Sequence, residues 1–244
     1  MDHFKVMSID FDYFQKIDDG DILRKCYPDG LDLKTELSTL VWASYYENPQ
    51  TKDLLQSVGI MEDEFGKIKE LIKNQSKFTT FVATNSHVEI YSIINQLMDI
   101  SDAKRLDVTN IDMHHDMVNG NKTLDCGNWI SFLKKKYPNT SVHWISNPIS
   151  KEMYGMTDVC FDMIDTSIGD DVLQKQYDLV FLARSDNWTP PHLDSRFNEL
   201  LNVARNQEFF ISKVSECVMS ERDVTKNATI RSYRIVKKSK EKPN

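Results

Sequence analysis

Short apolar runs alternate with amphipathic stretches along most of this chain, and that alternation constrains the fold more than any other feature. Residues 4–9 form an apolar run flanked by polar residues, the pattern of a buried strand. Runs at 78–83, 105–113, 142–145, 158–163 and 178–183 add further buried strands, 208–213 adds another strand and 229–236 an edge strand. Between them the spacing predicts helices over 32–47, 62–74, 86–97, 128–136 and 195–206. The first carries Leu33, Leu37, Leu40 and Val41 as its apolar stripe and ends at Asn48-Pro49, and the second carries Phe65, Ile68, Leu71 and Ile72. Residues 10–30, rich in Asp and Gly and marked by Pro28-Asp29-Gly30, read as a loop. Strands alternating with helices specify an α/β chain of three layers, α/β/α, around a mostly parallel sheet. No Pro-, Gly- or Ser-rich linker divides the sequence, so a single domain is expected over residues 1–236, followed by a basic flexible tail at 237–244.

Composition removes several function classes. The 30 Lys and Arg against 37 Asp and Glu leave a net charge of -7, which argues against nucleic acid as the main partner, because phosphate binding needs clustered cations. No apolar run approaches the ~20 residues that span a bilayer, so no membrane association is expected. The start, Met1-Asp2-His3-Phe4-Lys5, lacks the pattern of a secretory signal. Cys26, Cys126, Cys160 and Cys217 form no CxxC pair and no disulfide framework, which fits a cytoplasmic protein.

In a parallel sheet, ligands sit at the carboxyl ends of the strands. Three polar motifs fall there. Asp10 and Asp12 follow the first strand, two apart, so in extended chain both carboxylates leave on one side. Like charges that close resist ionisation unless a cation lies between them. Asp112, His114 and Asp116 fall at i, i+2 and i+4, one face of an extended segment, and their mixed oxygen and nitrogen set suits a borderline divalent ion such as Mn²⁺. His115 points to the other face. His87 follows the strand at 78–83 and precedes a helix for which Asn85 or Ser86 would be the N-cap. Four carboxylates and two imidazoles exceed the need of one cation and match two. A water held between two metals loses a proton near neutral pH and becomes a nucleophile, so the reaction class is metal-assisted hydrolysis.

These residues resemble the arginase and ureohydrolase superfamily, whose metal strands carry a D-x-H-x-D segment, a separate D-x-D segment and a lone histidine. Asp112-Met113-His114-His115-Asp116 is similar to the first, Asp10-Phe11-Asp12 to the second and His87 to the third. The D-x-D segment comes first here, whereas it comes late in enzymes acting on free arginine. The peptide arginases are the better likeness, over residues 4 to about 191. Ser8-Ile9-Asp10-Phe11-Asp12-Tyr13-Phe14, Cys126-Gly127-Asn128-Trp129 and Arg184-Ser185-Asp186-Asn187-Trp188-Thr189-Pro190-Pro191 look like that group. The resemblance implies an arginase/deacetylase-like fold and conversion of arginine residues in a ribosomally made precursor peptide to ornithine, with release of urea. It further implies two Mn²⁺ per chain bridged by Asp10 and Asp112, one completed by His87 and Asp116, the other by His114 and Asp12.

Other roles stay open at this level. The proton donor is one of His115, His143 and Glu89. The carboxylate that pairs with the substrate guanidinium is Glu89, Asp125 or Asp186, with Asp186 favoured for its place in the Trp-Pro loop, and Asn128 and Trp188 join the substrate contacts. Trp129, Trp144, Tyr154 and Trp188 are candidates to line a peptide groove, Trp144 being better suited to the core. Two rival readings remain. Asp10-Phe11-Asp12, with Gly169-Asp170-Asp171, also resembles a Mg²⁺-dependent phosphatase of the haloacid-dehalogenase type, and a metal-containing peptide-binding module would need no catalysis.

Overall fold

The computed structural model describes residues 2–27, 32–118, 122–154 and 161–225. In chain order it contains β1 (His3–Asp10), a 3₁₀ turn (Phe11–Phe14), β2 (Gln15–Lys16), α1 (Asp21–Cys26), α2 (Thr35–Glu47), α3 (Pro49–Gln56), β3 (Gly59–Ile60) and α4 (Glu62–Lys73). Next come β4 (Thr80–Thr84), α5 (Glu89–Ser101), β5 (Arg105–Asp112), α6 (Trp129–Lys136), β6 (Thr140–Ser146) and α7 (Ser150–Tyr154). The last part holds β7 (Met163–Asp165), α8 (Asp170–Leu173), β8 (Leu179–Ala183), α9 (Asp194–Arg205) and β9 (Ile211–Val214).

Seven strands form one sheet in the order β7-β6-β5-β1-β8-β4-β9, and every pairing in it is parallel. Parallel strands need covered faces, and alternate side chains divide between two apolar layers. Met7, Ile9, Phe81, Val180 and Leu182 pack with Phe65, Ile68, Leu71 and Ile72 of α4 and Phe197, Leu200 and Leu201 of α9. Val6, Val82, Leu106, Val108 and Leu179 pack on the opposite face, with Ile90 and Ile94 of α5 and Trp129, Ile130 and Leu133 of α6. This is the three-layer α/β/α architecture that the alternation specifies. Among the described residues no helix is long and apolar enough to cross a membrane.

Several local expectations change. Residues 11–26 are not a solvated loop, because Phe11, Tyr13 and Phe14 are buried and Phe11 and Phe14 meet Phe65 edge-on. The stripe assigned to α2 is displaced: Leu37 is 50% exposed and the helix buries Ser38, Trp42 and Ala43. Two hydrogen bonds decide it, from Ser38 Oγ and Trp42 Nε1 to the Asp186 carbonyl, each 2.7 Å. Pro49, expected only to end α2, opens α3 as its first residue, with the Asn48 side chain accepting from Gln50 N–H at 3.0 Å. Met163 belongs to an exposed edge strand rather than a buried one, since β7 has a neighbour on one side only. Residues 158–160, the strand expected at 229–236, the tail at 237–244 and the Pro28-Asp29-Gly30 turn lie outside the described residues.

Register sets up the functional end of the sheet. Ile9 lies opposite Ile111, so Asp10 and Asp112 end neighbouring strands at one level. Asp10 and Thr84 each lie opposite Ala183, which brings the segments after β4 and β8 to the same edge. Phe65→Ala is expected to cost about 3–5 kcal/mol of stability, and Leu37→Ala less than about 0.5 kcal/mol, in urea denaturation. A larger loss at Leu37 would contradict these helix faces.

Candidate metal centre

Asp10 is the last residue of β1 and turns the chain into the 3₁₀ segment, its Oδ1 accepting from Asp12 N–H at 3.3 Å. Asp12 therefore reaches the site through a turn, not through strand alternation. Asp112 ends β5, and its Oδ1 accepts from His114 N–H at 2.7 Å, closing a tight turn. Asp116 follows in the left-handed region with φ 53°. The i, i+2, i+4 set thus converges by a turn and a left-handed residue, which aspartate tolerates, rather than along one face of a strand. His87 sits between β4 and α5, whose N-cap is Val88 rather than Asn85 or Ser86.

All six side chains meet. Around His87 Nδ1 lie Asp10 Oδ2 at 3.0 Å, Asp112 Oδ2 at 3.1 Å and Asp116 Oδ2 at 3.2 Å. One imidazole nitrogen carries at most one proton and serves one carboxylate, so three at this distance exceed what hydrogen bonding explains. Ligands at right angles about 2.1 Å from a common ion lie about 3.0 Å apart, the spacing of an octahedral edge. A second group joins it: His114 Nδ1 is 2.9 Å from Asp12 Oδ2 and 3.6 Å from Asp112 Oδ1. Asp112 belongs to both groups, one oxygen in each. Asp12 Oδ2 and His114 Nε2 are buried without a hydrogen-bond partner among the described residues, a cost that a cation on the oxygen would remove. The donor set therefore fits two hard or borderline divalent cations bridged by Asp112. Asp10, expected to bridge together with Asp112, instead falls in the His87 group alone, beside Asp116, while Asp12 groups with His114.

Neighbouring groups orient this set. Ser8 Oγ lies 2.6 Å from His87 Nε2, leaving Nδ1 for the carboxylate side. Trp129 Nε1–H donates to Asp116 Oδ2 at 2.5 Å, and Trp144 Nε1–H to the Asp112 carbonyl at 3.0 Å. The Trp188 ring packs on His114 with centroids 4.5 Å apart.

The electrostatics follow from crowding. Burial, then the Asp10 charge, pushes the Asp12 carboxyl up to about 8, and burial, then Asp112, raises Asp116 well above the carboxylate range. Burial also works against ionising Asp112, but His114 and His87 outweigh it and hold that carboxyl below its usual value. Both imidazoles are driven up despite burial, His87 by Asp10 and Asp116 and His114 by Asp12. Protons thus collect where divalent charge would otherwise sit.

The centre opens on a cavity of about 270 Å³ whose wall includes His115, Asp125, Tyr154, Trp188, Asp32 and Ser185. His115 shares this cavity with His114, contrary to the expectation that it faces away. Its Nδ1 accepts from Met117 N–H at 2.9 Å, which leaves the ring proton on Nε2, and burial lowers its pKa. Asp125 Oδ1 accepts from Gly127 N–H at 3.0 Å.

Four expected site residues stand elsewhere. His143 pairs with Asp165 at 2.8 Å across β6 and β7 and is not on the cavity wall. Glu89 lies in the first turn of α5, also off that wall. Asp186 is buried against Arg184, 2.6 Å from Nε, and accepts from Thr35 Oγ1 at 2.5 Å, so no carboxylate edge is left for a substrate. Asn128 braces its own loop, accepting from Asp125 N–H and donating to the Thr123 carbonyl, each at 2.9 Å. Of the aromatic candidates, Tyr154 and Trp188 line the cavity, whereas Trp129 and Trp144 are fully buried.

Sequence reasoning missed Asp32, Ser8 and Ser185. Asp32 closely follows the Pro28-Asp29-Gly30 sequence and reads as ordinary loop polarity. Ser185 follows β8 at the same sheet edge as the clustered aspartates and histidines, so applying the strand-end rule to β8 finds it. Comparison with known proteins gave no match: no family model, curated protein or solved structure aligns significantly with this chain.

Because the Asp12 carboxyl is raised to about 8, the stability linked to its proton is lost as pH rises towards 8, and Asp116, also raised, acts in the same direction. Cations replace those protons, so metal affinity increases over the same window. Excess Mn²⁺ is expected to raise the Tm of metal-free protein by about 5 °C or more at pH 8, and by less at pH 6. An unchanged Tm at pH 8 would count against the centre.

Proposed function

We propose that the chain is a dinuclear metal hydrolase acting on the guanidinium C–N bond of arginine residues in a peptide, giving ornithine and urea. The observation that carries the reading is the pair of ligand groups sharing Asp112 at coordination spacing, beneath a cavity with a carboxylate at its wall. Asp10, His87, Asp112 and Asp116 would hold one Mn²⁺, and Asp12, Asp112 and His114 the other. When bound, such a pair supplies an ionised water near neutral pH and Lewis-acid charge beside the reacting carbon.

The remaining steps fall to the chain's own side chains. The four ligand carboxylates balance two divalent ions, so further negative charge in the cavity wall is available to a cationic substrate. Asp32 provides it in place of Asp186. Its Oδ2 accepts from Ser86 Oγ at 2.5 Å, which leaves acceptor capacity for a guanidinium in the cavity. Trp188 and Tyr154 give apolar walls for the side-chain stem. His115, neutral with its proton on Nε2, is placed to donate a hydrogen bond that orients the departing side-chain nitrogen, and the proton which that nitrogen takes up as the C–N bond breaks would come from the added water. A volume of about 270 Å³ suits one inserted side chain, with the peptide backbone remaining at the mouth. The precursor peptide would be met in the cytoplasm, a setting consistent with the free thiols of Cys26, Cys126 and Cys217.

A phosphatase of the haloacid-dehalogenase type would need Gly169-Asp170-Asp171 beside Asp10, but those residues start α8 and do not line the cavity. Urea assays on Mn²⁺-loaded protein with an arginine-containing peptide, free arginine and a phosphate ester separate the readings. Urea from the peptide is expected. Phosphate release alone would favour the phosphatase, and peptide binding without turnover the non-catalytic module. His114→Ala should abolish urea release. Asp32→Asn should lower kcat/KM by about 10–100-fold with metal content intact, and unchanged kcat/KM would remove Asp32 from the substrate contacts.

A further inference from the structure

Ser185 is held in a conformation that its own residue type does not favour. Its φ of 49° lies in the left-handed region, where glycine is unstrained and asparagine or aspartate is tolerated. The hydroxyl is what distinguishes the position: Ser185 Oγ donates to Asp10 Oδ2 at 2.5 Å, fully buried. That same oxygen is the one 3.0 Å from His87 Nδ1. A carboxylate oxygen has two lone pairs, and a hydroxyl that takes one directs the other.

The frame around Ser185 is built at considerable electrostatic cost. Arg184 is fully buried, bonds Asp186 through Nε, and donates to the Ser220 and Cys217 carbonyls at 2.9 Å. Arg222 pairs with Asp194 and donates to the carbonyls of Asp186 at 2.6 Å and Thr189 at 2.8 Å. With Ser38 Oγ and Trp42 Nε1, three donors converge on the Asp186 carbonyl. The Ser185 carbonyl is taken by the N–H groups of Trp188 and Thr189. The segment after β8 is therefore clamped on both sides of Ser185, and a buried pair of arginines is a costly way to hold a loop unless its geometry matters.

We infer that Ser185 is a positioning residue for Asp10 in the His87 cation group, and that the Arg184–Asp186–Asp194–Arg222 network serves to hold its hydroxyl there. The inference rests on the metal reading above. Hydrogen bonds to ligating carboxylates fix their orientation, and losing one lowers metal affinity about 10–100-fold.

Two substitutions separate positioning from structure. Ser185→Gly removes the hydroxyl and relieves the left-handed strain, whereas Ser185→Ala removes the hydroxyl and keeps the strain. Calorimetric titration of metal-free protein with Mn²⁺ should show both variants weakened about 10–100-fold at one of two sites. Metal-free Ser185→Gly should melt about 2–4 °C above Ser185→Ala. Wild-type affinity at both sites in both variants would overturn the inference and leave the metal reading intact. Affinity lost only in parallel with metal-free stability would give Ser185 a purely structural role and overturn it too. Wild-type protein that takes up no Mn²⁺ would remove the metal reading and this inference with it.

Discussion

Four carboxylates sit within bonding distance of two imidazoles at one end of a buried sheet, and this concentration of negative charge governs the region around it. Asp10, Asp12, Asp112 and Asp116 are each nearly or fully buried. Ionised together in a dry interior they repel and forgo hydration, and two protonated histidines offset only half of that charge. The upward shifts of Asp12 and Asp116 express the imbalance. A fold that retains such a cluster for stability alone would gain by replacing it with apolar side chains. Two divalent cations, as proposed, would neutralise the set without that loss.

The surrounding structure reads as support for this cluster. All four tryptophans of the chain touch its frame. Trp129 and Trp144 donate to Asp116 and to the Asp112 backbone, Trp42 donates to the Asp186 carbonyl, and Trp188 covers His114. Large rigid rings with a single donor fix a loop in place at little entropic cost, since their rotamers are already set by packing. Two of the three non-glycine residues with positive φ among the described residues, Asp116 and Ser185, also lie here. Strain persists where surrounding contacts over-determine the backbone, and here those contacts are the indoles and the buried arginines.

How much of this could be read from sequence depended on range. Period and apolarity located the strands of the main sheet within the described residues except the edge strand β7, which shares only Met163 with the expected run, and α4 showed its buried face residue for residue, because its stripe answers to the core alone. The stripe of α2 misled, since Ser38 and Trp42 answer to a carbonyl 148 and 144 positions away. The clustering of these six side chains was legible because strand ends gather at one edge, although the turns that converge them were not. Asp186 looked like a substrate carboxylate in a Trp-Pro loop. Its partners Arg222 and Thr35 lie far off in sequence, and no local pattern reveals a pairing of that kind.

The contrast between Asp186 and Asp32 shows how burial decides what an aspartate can do. Asp186 faces Arg184 and receives Thr35, so its charge is already used inside the protein. Asp32 is exposed at the cavity wall, with one hydroxyl partner, and forms no salt bridge within the described residues. Its carboxyl is nonetheless raised by partial enclosure, then by the Asp10 and Asp186 charges, with the Ser86 hydroxyl opposing. A cation entering the cavity would meet a carboxylate whose negative charge is incompletely compensated, while the deeper carboxylates would be engaged with metal on the proposed reading. With metal bound, charge would thus be graded along the cavity, balanced at the bottom and in excess at the wall. A guanidinium, planar and permanently charged, gains more from such a wall than a neutral or anionic group does, which supports the proposed action on arginine over action on a phosphate ester.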